Sequence, residues 1–209
     1  MLRNIALTLL AVFAFAGVTQ YASADNNEPE KLIIEVSEQV MAEVNAGRKQ
    51  FKNNPEPLKA KLLALMEPHT DFDSFAKGVM GKYYDQATEA QRNQFKADFK
   101  SSLIDLYSKA LVAFEVKAMG IHETTYRNPE SANVVMKVTA PADSTYHVQY
   151  SMRKNDLGNW MVRNVVLDGV NLGLTYRNQF NSAMESNNGD LQAVITGWTH
   201  NMEEQPHQQ

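Results

Sequence analysis

TYHVQYSMRKNDLGNWMV, residues 145–162, reads as two strands joined by a hairpin. Tyr146, Val148, Tyr150 and Met152 alternate with His147, Gln149, Ser151 and Arg153. A period of two places successive side chains on opposite faces of a strand. Asp156-Leu157-Gly158-Asn159 supplies the turn, after which Trp160 and Val162 resume the alternation. Upstream, Val134, Met136 and Val138 alternate with Lys137 and Thr139, and Phe114, Val116 and Ala118 with Glu115 and Lys117. Four consecutive strands joined by turns describe an antiparallel sheet with one dry and one wet face. The last strand changes parity near Asn164, as at a β-bulge.

Helical periodicity flanks this block on both sides. Leu32, Ile33, Val36, Val40 and Val44 recur at three- and four-residue spacing over 28–47, with Gly47 at the stop position. Pro55 and Pro57 open a second helix carrying Leu58, Leu62, Leu63, Leu65 and Met66, and Pro68 ends it. Residues 71–80 form a short helix capped by Asp71 and closed by Gly81. Thr88 and Gln91 have the spacing of a capping box ahead of the longest helix. Its main stripe is Phe95, Phe99, Leu103, Leu106 and Ala110, widened by Tyr107, Leu111 and Phe114. After the Asp168-Gly169 turn, Leu172, Tyr176, Phe180 and Met184 share one helix face. A last helix, started by Asp190, carries Leu191, Val194, Ile195 and Trp198. Helices, a four-strand meander and helices again make one α+β domain whose dry sheet face must be covered by helices.

The ends and the composition bound the compartment. Arg3 is the only charge before Asp25, Ile5 to Val18 is nearly unbroken apolar, and Ala22-Ser23-Ala24 has the small-x-small form a signal peptidase reads. That run of about 14 residues is shorter than the roughly 20 a bilayer span needs. The sequence therefore predicts a cleaved signal over 1–24, a single domain over 25–202, and a disordered tail over 203–209. The exported chain contains no cysteine, so its core must hold without disulfides. Removing Arg3 takes the formal charge from −4 to −5, which argues against a nucleic-acid partner.

Groups that would converge for catalysis are sparse. His69, His122, His147, His200 and His207 lack metal-ligand spacing on one helix face. His69 with Asp71 and Asp73 reads as helix capping beside a surface imidazole, His147 falls on the wet face, and Asp168 reads as a turn residue. No nucleophile elbow or phosphate loop occurs. What remains is the dry face itself, for which the residues leave two readings open. It is a packed core, or it is the wall of an apolar cavity. Tyr83, Tyr84, Tyr107, Tyr146, Tyr150 and Tyr176 have hydroxyls that want partners, and the methionines offer adaptable surface, both of which suit a cavity.

FDSFAKGVMGKYYDQATEAQRNQFKADFKSSLIDLY (72–107) resembles the MlaC family, the toluene-tolerance auxiliary proteins that bind phospholipid in the periplasm. The resemblance rests on Gly81, Tyr83-Tyr84, Ala87-Thr88 and Gln91-Arg92. YSMRKNDLGNWMVRNVVLDGVNLGLTYRNQF (150–180) carries a second block, ending in the family's Tyr-Arg-x-x-Phe helix. Ala90 stands where Pro is frequent and Asn171 where Ser is usual. The resemblance implies a nuclear-transport-factor-like arrangement, a curved four-stranded sheet wrapped by helices around an apolar cavity for acyl chains. On the sheet that cavity would be lined by Val116, Val134, Met136, Val138, Tyr146, Val148, Tyr150, Met152 and Val162. From the helices it would take Phe99, Leu103, Leu106, Tyr107, Leu172 and Tyr176, with Arg92, Arg163 and Arg177 in the vicinity of the head group. The cargo is then a diacyl phospholipid, with no cofactor and no catalysis. The implied partners are an outer-membrane lipoprotein–porin complex and an inner-membrane ABC transporter complex with a hexameric periplasmic component. The carrier itself is a monomer. An adaptor that docks membrane complexes without holding lipid is the alternative.

Overall fold

The computed structural model describes residues 28–203; the expected signal segment, and the expected tail from 204 onward, lie outside these residues. Two helices open the described chain. Helix α1 (Pro29–Asn53) starts with proline at its first position, where no amide partner is lost, and α2 (Glu56–Met66) follows after a short break. Gly47 does not end α1, contrary to the sequence reading. The ring of Phe51 lies over Gly47, where an added Cβ would fall 2.4 Å from its Cζ. The next residue, Arg48, donates to the carbonyls of Val112 (2.6 Å) and Phe114 (2.9 Å), tying α1 to the end of a later helix. Helical continuation is thus held by tertiary contacts that a glycine alone does not override.

Helix α3 (Phe72–Met80) is capped by Asp71, whose carboxylate accepts from the Ser74 amide at 2.9 Å, and Gly81 closes it at φ 54°. Helix α4 (Glu89–Ala113) begins with the full capping box, Thr88 and Gln91 bonding reciprocally. Its apolar stripe divides rather than running straight. Phe95, Phe99 and Leu103 pack toward α3, while Ile104 and Val112 pack toward α1 and α2. Ala110, expected in the stripe, is exposed, and Leu106 and Tyr107 are half-buried.

The sheet follows in strict chain order, β1 (Ala118–Asn128), β2 (Ser131–Thr139), β3 (Thr145–Lys154), β4 (Trp160–Leu167) and β5 (Val170–Asn171), all antiparallel. The two-residue β5 adds one strand to the four expected. The first strand begins at Ala118, whereas the sequence placed it from Phe114; Phe114 to Lys117 lead into it, and Phe114 and Val116 still pack on the sheet cluster. Parity on β2 and β3 is as expected, with Val134, Met136, Val138 and Met152 buried. The expected bulge lies at Arg163: Ser151 faces Asn164 and Met152 faces Val162, leaving Arg163 extra.

Helices α5 (Leu172–Ser186) and α6 (Leu191–Glu203) complete the described residues. Three apolar clusters result. One joins α3, α4, α5 and α6 around Phe95, Phe99, Phe180 and Trp198. A second is the dry sheet face with Ile33 of α1, and the third is helical, centred on Val44, Leu58 and Leu62. Thr70 bridges to Val162 in parallel, so the chain entering α3 runs along the β4 edge.

Candidate functional site

The dry sheet face is sealed at one end and loose at the other. Val134 (0%) and Met152 (2%) are closed off from solvent, as is Trp160. Tyr146, Val148 and Tyr150 point to the same face but stay only half-buried, and Val165 joins them on β4. Leu106 and Tyr107 of α4 and Leu172 of α5 are likewise half-buried, and Tyr176 is buried; Tyr107 comes close to Tyr150. Inward-facing apolar side chains that retain accessible surface mark imperfectly filled space, because packed interiors leave few voids.

Three tyrosines meet where sheet and helices converge. The Tyr107 hydroxyl is turned toward that of Tyr176, with Tyr150 close enough to act on it electrostatically. Ser37 of α1 is turned toward the Tyr150 hydroxyl. Burial pushes Tyr107 well above the usual phenol range, reinforced by Tyr176. Burial likewise pushes Tyr150 up to about 12, against the opposing effect of Ser37, and raises Tyr176 against its bond from Tyr107. These phenols are neutral at any ordinary pH, so the space they face holds hydroxyl groups but no charge. It suits an uncharged, elongated apolar guest with occasional acceptor atoms.

A second feature lies at the β4 edge. Ser74, Phe75, Gly78, Arg163, Asn164, Asn171, Gly173, Leu174 and Arg177 line a cleft of about 340 Å³ between α3, β4 and α5. Asn171 caps α5, accepting from the Leu174 amide at 3.0 Å, and also accepts from Asn164, which in turn accepts from the Gly173 amide at 3.0 Å. A Cβ on Gly173 would sit 2.6 Å from the Asn164 Oδ1, so this corner requires glycine. Arg163 bonds Asp71 at 3.0 Å and Ser74, while Arg177 donates from Nε to the Gly78 carbonyl at 2.6 Å.

All but Leu106 of the residues expected to line a cavity fall into two groups. Val116, Val134, Met136, Val138, Tyr146, Val148, Tyr150, Met152 and Val162 all belong to the sheet cluster. Phe99, Leu103, Tyr107, Leu172 and Tyr176 belong to the helical cluster of α3 to α6. Phe99 sits among rings, edge-on to Phe75 at 5.2 Å and to Tyr176 at 5.4 Å. Of the three arginines, Arg163 and Arg177 share the cleft; Arg92 lies elsewhere, stacked on Tyr84 at 4.4 Å with its Nε on the Tyr84 carbonyl. Ser37, Phe75 and Val165 were not singled out in the sequence. Ser37 is one polar residue in a helix, Phe75 was absorbed into a short helix, and Val165 follows the bulge that reverses parity.

The remaining candidates have structural roles. Asp71 caps α3, Asp73 pairs with Lys96 at 2.7 Å, and Asp168 occupies a turn at φ 45° with its carboxylate on the His147 amide. Among the described residues, no group of three or more acidic or histidine side chains is placed to hold a metal ion. No described helix is long and apolar enough to cross a membrane.

Comparison with known proteins places this geometry in context. The sequence model of one family, described as MlaC protein, matches residues 34–200. A toluene tolerance protein, Ttg2D, of Pseudomonas putida is 32% identical over 198 residues, covering 94% of this chain and 89% of the relative. The intermembrane phospholipid transport system binding protein MlaC of Haemophilus influenzae is 23% identical, covering 74% and 73% of the two chains. Among solved structures, a phospholipid-binding protein from Ralstonia solanacearum in complex with a phospholipid superposes with a TM-score of 0.71 at 21% identity. That match covers 84% of this chain and 94% of the other, and it shows a shared fold.

Proposed function

Since this chain belongs to the MlaC family, we propose that it is a periplasmic phospholipid carrier. It moves lipid between the outer membrane and an inner-membrane ABC transporter complex, holding the acyl tails between the sheet and helices α4 and α5. The observation that carries the reading is the half-buried row Tyr146, Val148 and Tyr150 on the dry sheet face, with Tyr107 and Leu172 likewise half-buried on α4 and α5. The relatives named for phospholipid transport and the lipid-bound structural neighbour support it.

The physical need for such a carrier is large. Each methylene moved out of water is worth about 0.8 kcal/mol, so two long tails together amount to on the order of 20 kcal/mol. A chamber without charge takes the tails and leaves the phosphate at the mouth, making binding tight and nearly indifferent to the head group. Arg163 and Arg177, which line one cleft beside α5, are the cations this reading assigns to that phosphate. Lipid here is cargo, so the reading assigns no reaction and requires no cofactor. Its partners are an outer-membrane lipoprotein–porin complex and the hexameric periplasmic component of the transporter, and it works as a monomer.

The test is native mass spectrometry of the exported protein purified without detergent, followed by lipid extraction. An added mass matching diacyl phospholipid is expected. A protein that is bare, and stays bare after incubation with vesicles, overturns the carrier and favours an adaptor that docks membrane complexes with a filled core.

A further inference from the structure

Among the described residues exposed large apolar side chains are few, and three of them lie close in the chain. Leu167 (40% exposed) and Val170 (54%) face each other across the β4–β5 turn, and Leu174 (53%) follows on the first turn of α5. The turn itself is tight, with Asp168 at φ 45° and Gly169 at φ 84°, so Leu167 and Val170 sit on an exposed tip, with Leu174 at the edge of the arginine cleft.

Cations lie on the α3 side of this surface. Arg177 follows Leu174 by one helical turn and lies along Gly78 and Gly81 of α3. Its Nε is taken by the Gly78 carbonyl, and no described partner occupies its terminal nitrogens. Lys77 and Lys82 flank the same end of α3, braced 5.0 Å over the rings of Tyr84 and Tyr83. Among the described residues none of Lys77, Lys82 and Arg177 has a carboxylate within salt-bridge distance. Of the neighbouring acids, Asp71 is held by Arg163 and Asp73 by Lys96, while Asp85 and Asp168 keep their charge at the surface, Asp168 with its carboxylate on the His147 amide. Three cations without a carboxylate partner outnumber these two acids, on a chain of formal charge −4.

We propose that this surface, with Leu167, Val170 and Leu174 at its centre and Lys77, Lys82 and Arg177 at its rim, docks the protein on a bilayer containing anionic phospholipid. An exposed aliphatic tip enters the head-group boundary shallowly, and long cationic side chains reach phosphates in any arrangement. Three aliphatic groups are too few for the roughly 800 Å² per partner of a stable protein interface, but enough for a contact that must be made and broken repeatedly. The arginine cleft opens beside the tip, so docking brings it to the level of the phosphates. The inference goes beyond the carrier reading, which specifies a cargo and leaves open which face meets a membrane.

The test is flotation of the exported protein with vesicles of phosphatidylethanolamine and phosphatidylglycerol, set against vesicles of phosphatidylcholine alone. Binding to the anionic vesicles is expected to exceed binding to the neutral ones by at least tenfold and to fall with salt. Each cation contributes about fivefold, so the double variant K77E/K82E is expected to lose binding by more than tenfold. Val170→Asp is expected to weaken binding to the same vesicles. Both variants should retain the co-purified lipid of the parent protein, which separates loss of docking from loss of the carrier property. Equal flotation with both vesicle types overturns the proposal, as does unchanged binding by the double variant. Absence of vesicle binding, together with variant-sensitive binding to native membranes that protease treatment abolishes, assigns the surface to a protein partner instead.

Discussion

Arg163 reaches Asp71 across the whole of α3, α4 and three strands, its Nε donating to the carboxylate at 3.0 Å while its other arm bonds Ser74. The same carboxylate caps α3. One bulged residue of β4 therefore fixes the start of the helix that runs beside it.

The first prediction concerns that pair. Arg163→Ala should lower stability by about 1 kcal/mol, small because both side chains remain partly exposed. Desolvation pushes Asp71 upward, but the Ser74 hydrogen bonds and Arg163 outweigh it, so its folded pKa lies below the ordinary value of 3.8. A depressed carboxylate adds stability above its unfolded pKa and loses it as pH falls through the folded value. Urea titrations from pH 3 to 7 should show a steeper acid limb in the parent protein than in the variant.

The buried phenols predict the opposite limb. Tyr107, Tyr150 and Tyr176 all titrate above the ordinary value of 10.0 in the folded state, Tyr150 at about 12. A raised acid is neutral in both states below its unfolded pKa, so its contribution is intact there. It is lost as the unfolded phenol ionises and pH climbs toward the folded value. Melting temperature should fall steeply above about pH 10, and the double variant Y107F/Y150F should flatten that fall.

Placing a charge on the dry sheet face should displace the cargo. Val148→Glu sets a carboxylate on the inward side of β3, whereas His147→Glu sets one on the exposed side. The first should reduce extracted phospholipid per protein at least tenfold, because an unpaired charge is not tolerated in apolar surroundings; the second should leave it unchanged. Equal lipid content in the two variants would reverse the assignment of the faces.

The ring cluster should carry much of the stability. Phe180 lies 5.0 Å from Phe95 and 5.7 Å from Trp198, fully buried. Phe180→Ala should cost about 3–5 kcal/mol by urea unfolding.

Where local chemistry decided the structure, it was legible in the residues. The Thr88–Gln91 box, the Asp71 cap and the Asp168-Gly169 turn each depend on atoms within a few positions, and alternation placed β2 and β3 on the correct face. Strand β1 was not legible because its residues, AMGIHETTYRN, are mostly exposed and lack a clean apolar alternation. Gly47 misled because Phe51 and Arg48 hold the helix through contacts no local window contains. Among candidate site residues, the arginines divided for a similar reason. Arg163 and Arg177 lie in separate elements that only the fold brings to one cleft, while Arg92 is turned away by Tyr84. The three tyrosines were flagged as hydroxyls in need of partners, but their convergence depends on how α4 and α5 cross the sheet.

The order of the strands bears on how the chain reaches this state. Each strand pairs only with its immediate neighbour along the chain, so every ladder closes across a short loop. Short closures carry little entropic penalty, and hairpins form in microseconds. The sheet can zip from either end without waiting for a distant segment. The docking of α3 on β4 is different in kind, since the Thr70–Val162 bridge and the Asp71–Arg163 pair join segments about ninety residues apart and close far larger loops. With no cysteine in the chain, no oxidation step is added to that search.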